Sequence, residues 1–151
     1  MAKGSFNAAG VGDSLALMMI RIPLGAIFLA HGSQKLLGLF GGHGLTATFK
    51  VFEEKMAIPP VFTFLAIIAE FGGGIGVLLG FLTRLSGLGI AAVMAVAIWK
   101  VHLVNGFFMN WFLTPGKGHG IEYNLALLGM GLALVCKGGG PWSVDRFLWK
   151  R

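Results

Sequence analysis

One cysteine, one tyrosine and six acidic residues are all that this chain of 151 residues holds of those types. The solitary Cys136 excludes an intramolecular dithiol–disulfide cycle, which needs two thiols, and removes multi-thiolate metal sites. Cys136 reads instead as a small apolar filler. Charge is scarce as well: 12% of residues carry one, where a soluble globular domain carries about 25%. No basic stripe with interleaved aromatics is present, so nucleic acid is not an expected partner. The net charge of +6 is read as contact with anionic lipid headgroups. No A-x-A site follows the first apolar run, Lys3 is the only positive charge before it, and Arg21 and Pro23 interrupt it. That run therefore reads as a retained helix rather than a cleaved signal.

What is present is apolar. Hydrophobic residues make up 56% of the chain, and the mean hydropathy is +0.80. Four continuous apolar segments stand out at Ser14–Ala30, Pro60–Leu82, Leu85–Val104 and Ile121–Cys136. Each is near the length at which a helix rising about 1.5 Å per residue spans about 30 Å of hydrocarbon. The runs are continuous rather than alternating, which argues against barrel strands. The expected fold is all-α: a membrane four-helix bundle with helices at about 14–31, 60–82, 85–104 and 121–137, forming one integral membrane domain over 1–151. Lys3, Arg84, Lys137, Arg146, Lys150 and Arg151 fall on one side of these spans. Lys35, Lys50, Lys55 and Lys117, offset by Glu53, Glu54 and Glu122, fall on the other. The balance of basic residues predicts an inner (cell) membrane protein with both termini cytoplasmic.

The connections carry their own patterns. In LTATFKVFEEKM, Leu45, Phe49, Phe52 and Met56 share one helical face, which predicts a short interfacial helix. Phe107, Phe108, Trp111 and Phe112 form an aromatic belt in the third connection. Glycines and Pro141 end the fourth helix, and Ser143 is placed to cap a short tail helix bearing Phe147 and Trp149. Small residues recur at a spacing of four: Gly72, Gly76 and Gly80; Gly87, Ala91 and Ala95; and, more weakly, Ala26 and Ala30. Such stripes let helix backbones approach closely. They read as packing within one bundle, with self-association as the alternative.

Glu70 is the one charge of either sign in the apolar run from Met56 to Thr83. A carboxylate at membrane depth costs roughly 2.5–3.5 kcal/mol on insertion scales, so it calls for a partner. Arg21 from the first helix and Lys100 from the third are the expected buried charge partners. Two readings stand for the group: a binding or proton-handling site, or a clamp that fixes helix register. His31 and Lys35 are one turn apart, with Gln34 near their face; His102 ends the third helix, and Glu122, Tyr123 and Asn124 open the fourth. All four helices thus direct polar groups toward one cavity in the outer half of the bundle. His31, Lys35, Glu70, His102, Glu122 and Tyr123 are the candidate ligand-binding or proton-handling residues. No H-x-x-x-H or H-x-x-E-H pattern occurs, so no metal site is expected, and His43 and His119 read as solvated loop residues. Gly72–Gly74 follows no strand and cannot cradle phosphate, and no serine occupies a nucleophile elbow. The residues alone name no catalytic group.

The order of RIPLGAIFLAHGSQK (with Arg21, Gly25, Phe28, His31, Gly32 and Lys35), AEFGGGIGVLLGFLTR, HLVNGFF, GIEYNL and GGGPWSVD resembles the DoxX family of small four-helix membrane proteins nearly end to end. What the resemblance implies is a role beside redox enzymes. Relatives are linked to quinone-coupled thiosulfate oxidation, to membrane-bound oxidative-stress complexes and to assembly-factor roles. More distantly, the family resembles the membrane component of methylamine utilisation and some eukaryotic assembly chaperones. The dithiol chemistry of some similar four-helix enzymes is absent here.

The expectation is an accessory membrane subunit of a quinone-linked redox system. His31 and Lys35 would donate hydrogen bonds to a quinone, Glu70 and Glu122 would relay protons, and Tyr123, Phe107 and Phe108 would line the headgroup pocket. The alternative is a non-enzymatic scaffold or assembly factor that holds other membrane subunits through its glycine stripes. A weaker third reading is a small anion transporter using Lys35, Lys100 and His102, although no inverted repeat is evident.

Overall fold

Backbone groups that cannot reach water must bond within their own segment, so continuous apolar runs become helices. A computed structural model describes residues 8–149. Lys3, Lys150 and Arg151, used above for orientation, lie outside the described residues. The helices are α1 (Ala8–Leu37), α2 (Gly44–Met56), α3 (Pro60–Leu79), α4 (Thr83–Ala97), α5 (Glu122–Lys137) and α6 (Val144–Leu148). A π-turn at Ile98–His102 and a 3-10 turn at Leu103–Asn105 continue α4. No strand occurs among the described residues.

Local chemistry sets most of the boundaries. Pro60 occupies the first turn of α3, where its missing N–H is no loss. Gly80 closes α3 at φ +69° and Leu82 opens α4 at φ +46°, so the predicted helix ends at Leu79 rather than 82. Helix α2 forms where the amphipathic pattern predicts one. Ser143 caps α6 by accepting the Arg146 N–H at 3.2 Å. Helix α1 is longer than its apolar core, because His31–Leu37 extends it past Ala30.

Three helical stretches are long and apolar enough to cross a membrane: Gly12–Leu37, Pro60–Leu79 and Thr83–Asn105. Helix α5 has 16 residues, about 24 Å, which falls short of the roughly 30 Å of hydrocarbon on its own. Helix α1 packs on α3, α3 on α4 and α4 on α5, and α5 also touches α1. Leu24, Phe28, Val77, Ile90, Met94 and Leu127 fill the centre.

Glycine sets the closest approaches, but in an arrangement other than one stripe per helix. Between α1 and α3, a Cβ added at Gly25 would lie 2.8 Å from the Leu78 nitrogen. One at Gly32 would lie 2.5 Å from Phe71 Cα, and one at Gly74 2.5 Å from the Leu29 nitrogen. These pairs fix an antiparallel register. The expected Gly72/Gly76/Gly80 stripe is divided among different neighbours. Gly76 meets Ser86 of α4, Gly80 meets Arg21 and Ser143, and Gly72 has open space around it. Gly87 and Ala91 do share a surface, which packs on Gly131 of α5. Ala95, the third member of that stripe, is exposed.

Candidate functional site

Two polar clusters form, at different levels of the helices. The first surrounds Arg21. Its guanidinium is buried at 4% exposure and donates to four backbone carbonyls: Val77 and Leu78 at 2.9 Å, Gly139 at 2.9 Å and Trp142 at 2.8 Å. Val77 and Leu78 belong to the last turn of α3, at the negative end of the helix dipole, where carbonyls run short of helical donors; Val77 also accepts from the Gly80 N–H at 3.2 Å. A planar fork with five donors suits such a set, and a lysine would not. Asp145 completes the cluster. Its carboxylate accepts from the Leu82 N–H at 2.7 Å, the Thr83 N–H at 2.8 Å and the Thr83 hydroxyl at 2.7 Å. It therefore caps α4 and holds Leu82 in a left-handed conformation that side-chain-bearing residues disfavour. Arg21 and Asp145 together tie the tail to the α3–α4 turn.

The second cluster is an ion pair between Lys35 Nζ and Glu70 Oε2, with side-chain exposures of 24% and 5%. The expected partners of Glu70 were Arg21 and Lys100, and the register explains why neither reaches it. The α1–α3 contacts put Ser33 level with Glu70. Arg21 is twelve residues from that level, about 18 Å along the helix. Lys35 is two residues beyond it. Side chains lean toward the N-terminus of their own helix, so in an antiparallel pair Lys35 and Glu70 lean toward each other. Lys100 is exposed on the π-turn, 4.8 Å over the ring of Trp99. The lysine partner went unread from the sequence because only the tertiary register makes it neighbour to Glu70; its one-turn spacing from His31 was the available signal.

The pair opens into a continuous groove of about 1240 Å³. His31 and Lys35 of α1, Glu70 of α3 and Tyr123 and Asn124 of α5 reach it. His102 and His119 reach it beyond the end of α4, joined by a 2.9 Å contact from His102 Nδ1 to the His119 carbonyl. Lys100, although it does not reach Glu70, also lines this groove, as does Ser86; the remainder of the wall is mostly apolar. Five of the six candidate residues, His31, Lys35, Glu70, His102 and Tyr123, therefore border one space. Glu122 does not. Its Oε1 accepts from the Met109 N–H at 2.8 Å and from Trp111 Nε1 at 3.1 Å, so it clamps the aromatic loop instead of facing the groove. Phe107 and Phe108 pack edge-to-face on each other and lie outside the groove wall, where Met109 takes their place. Cys136 is exposed on α5 rather than filling the interior. Asn124, which was not singled out alone, is buried with its Nδ2 3.5 Å from Met94 Sδ. Among the described residues no three His, Cys, Asp or Glu side chains are grouped as a metal would need.

The family model described as DoxX matches residues 16–103. The chain is 28% identical over 141 residues to "Inner membrane protein YqjF" of Escherichia coli K12, covering 92% of this chain and 96% of the relative. It is 30% identical over 141 residues to "Uncharacterized membrane protein Rv3486" of Mycobacterium tuberculosis, covering 90% of this chain and 83% of that one. A third relative, 26% identical over 136 residues with 90% and 89% covered, is "Putative oxidoreductase CatD" of Bacillus subtilis. No solved structure matches. The matched residues hold both Arg21 and the Lys35–Glu70 pair, and the chain is a membrane protein of the DoxX family.

Proposed function

We propose that this chain is the membrane subunit of a quinone-linked redox system and holds a quinone head beside the Lys35–Glu70 pair. The observation that carries this reading is a buried, charge-compensated pair bordering a large apolar groove. An intramembrane ionisable pair is a functional-site hypothesis by default. The oxidoreductase name of the Bacillus relative supports the same reading. The donor set fits a quinone: Lys35 and His31 offer N–H donors to carbonyl oxygens, and Glu70 can hold a proton delivered at a hydroxyl. A bound quinone would supply two-electron, two-proton acceptor chemistry. Lys35 fixes Glu70, whose side chain is buried while that of Lys35 is partly exposed. Glu122 is taken up by its loop contacts and has no part in this proton path.

The reading extends to the whole chain as one integral membrane domain, with α5 acting as the fourth span of a bundle and α2 and α6 lying in the interfaces. Both termini are cytoplasmic, and the membrane is the inner membrane, as the name of the Escherichia relative supports. With a single cysteine, the chain depends on a partner subunit for its electron donor. A scaffold that only assembles such partners is the second reading. It is favoured by the Arg21–Asp145 cluster, which presents the exposed Trp142, Phe147 and Trp149 from a firmly tied tail.

The test is purification in lipid nanodiscs with extraction of bound quinone and a binding titration. Saturable binding is expected in the wild type. His31→Ala is expected to weaken it about tenfold, the scale of one hydrogen bond, with helix content unchanged. Absence of bound quinone together with non-saturable uptake would overturn the redox reading and leave the scaffold.

A further inference from the structure

We infer that the ligand reaches the Lys35–Glu70 pair sideways from the bilayer, between α3 and α4, and that its long apolar tail remains in that flank. The inference rests on the proposed function only in placing a neutral head at the ion pair. Its own basis is the shape and polarity of the groove.

The groove that contains Glu70 also runs out to Leu65, Leu85 and Val96, which are exposed on spanning helices. The interior pair and the bilayer-facing flank therefore share one continuous space. Small residues line the flank: Ala66, Ala69 and Gly72 on α3, and Gly89 and Ala92 on α4. At Ala69 and Gly89 the two helices touch, a Cβ at Gly89 lying 3.1 Å from Ala69 Cβ, so there the flank is a furrow on the bilayer-facing side. A Cβ at Gly72 would find nothing nearer than Ile68 Cγ2 at 4.0 Å. From Leu85 to Val96 the flank follows α4 for roughly 17 Å.

Size and charge select the occupant. At about 1240 Å³ the groove exceeds the roughly 300–1,000 Å³ of a pocket for a drug-sized ligand. A head alone would fill only its polar part. The polar groups gather around the ion pair and at the far end of α4. Along the flank toward Leu85 the wall is apolar save for Ser86, whose hydroxyl already donates to the Phe81 carbonyl. Such a groove fits an amphiphile with one small polar head and one long tail. Lys35 and Glu70 neutralise each other, so a neutral head suits the pair itself, where a phosphate would confront the Glu70 carboxylate; the further cation of the groove, Lys100, lies over Trp99 at the far end of α4. The bilayer is as apolar as the flank, so the tail gains by packing and not by leaving water.

The test compares a long-chain polyprenol, neutral-headed and redox-inert, with a short prenol of the same head, at equal mole fraction in nanodiscs. The long chain is expected to bind about fivefold more tightly, a difference of roughly 1 kcal/mol. Ala92→Phe plugs the flank and should abolish that difference. Ala95→Phe, one turn away and outside the groove, should preserve it. If Ala92→Phe does not fold, Ala92→Leu provides a smaller plug with the same expected direction. Equal binding of both chain lengths, or a difference that survives the plug, overturns the inference. So does a phospholipid that keeps the flank filled against the prenol. A quinone that binds no better than the prenol removes the redox reading and leaves the flank intact. A quinone that binds regardless of tail length removes the flank and leaves the redox reading.

Discussion

Arg21 and Glu70 are both charges carried by apolar helices, yet their surroundings are opposite. Arg21 is surrounded by backbone: four carbonyls from two segments accept its protons. Glu70 has one ionic partner, and the pair borders a groove. A charge saturated by its own chain is best used to hold segments together. A charge compensated once, beside a cavity, keeps capacity for a ligand. The sequence shows two buried charges of similar apparent cost, and only the three-dimensional setting separates their roles.

That contrast breaks if the Arg21 cluster proves dispensable to folding. Arg21→Ala removes the guanidinium from four carbonyls, two of them at part-buried bonds and one still bonded to the Gly80 N–H, and is expected to cost about 3 kcal/mol, read as early unfolding in detergent. Arg21→Lys should recover only part of the loss, because a point charge cannot serve two segments in one plane. Wild-type stability in either variant would erase the distinction between the clusters. Asp145→Ala sharpens the same comparison with a smaller effect. It uncaps α4 and releases Leu82, with an expected loss of about 2 kcal/mol and faster proteolysis of the tail. Ligand binding at the distant groove should be retained in the fraction that stays folded.

Much of the helical content was legible because apolar length and periodicity are local properties. The amphipathic face of 45–56 appears as α2, and Ser143 caps α6. The pairing of charges was not legible. It depends on the α1–α3 register, which Gly25, Gly32 and Gly74 set by contacts across the fold. Glycine spacing in one helix does not reveal which neighbour each glycine meets. That is why Gly72, Gly76 and Gly80 resemble one stripe and serve three surroundings. Glu122 was misread for a related reason: nothing local indicates that the chain folds Met109 and Trp111 back onto it. The end of α4 was also hidden, since a π-turn leaves no clear mark in hydropathy.

The central claim is that the Lys35–Glu70 pair serves binding more than stability. Replacing both charges at once, in Lys35→Met/Glu70→Leu, tests it most directly. Exchange of a buried ion pair for apolar residues of similar volume is often neutral or stabilising. The account predicts a double variant that unfolds no earlier than wild type and has lost saturable quinone binding. A double variant that still binds quinone with wild-type affinity would contradict it and reduce the pair to a clamp between α1 and α3.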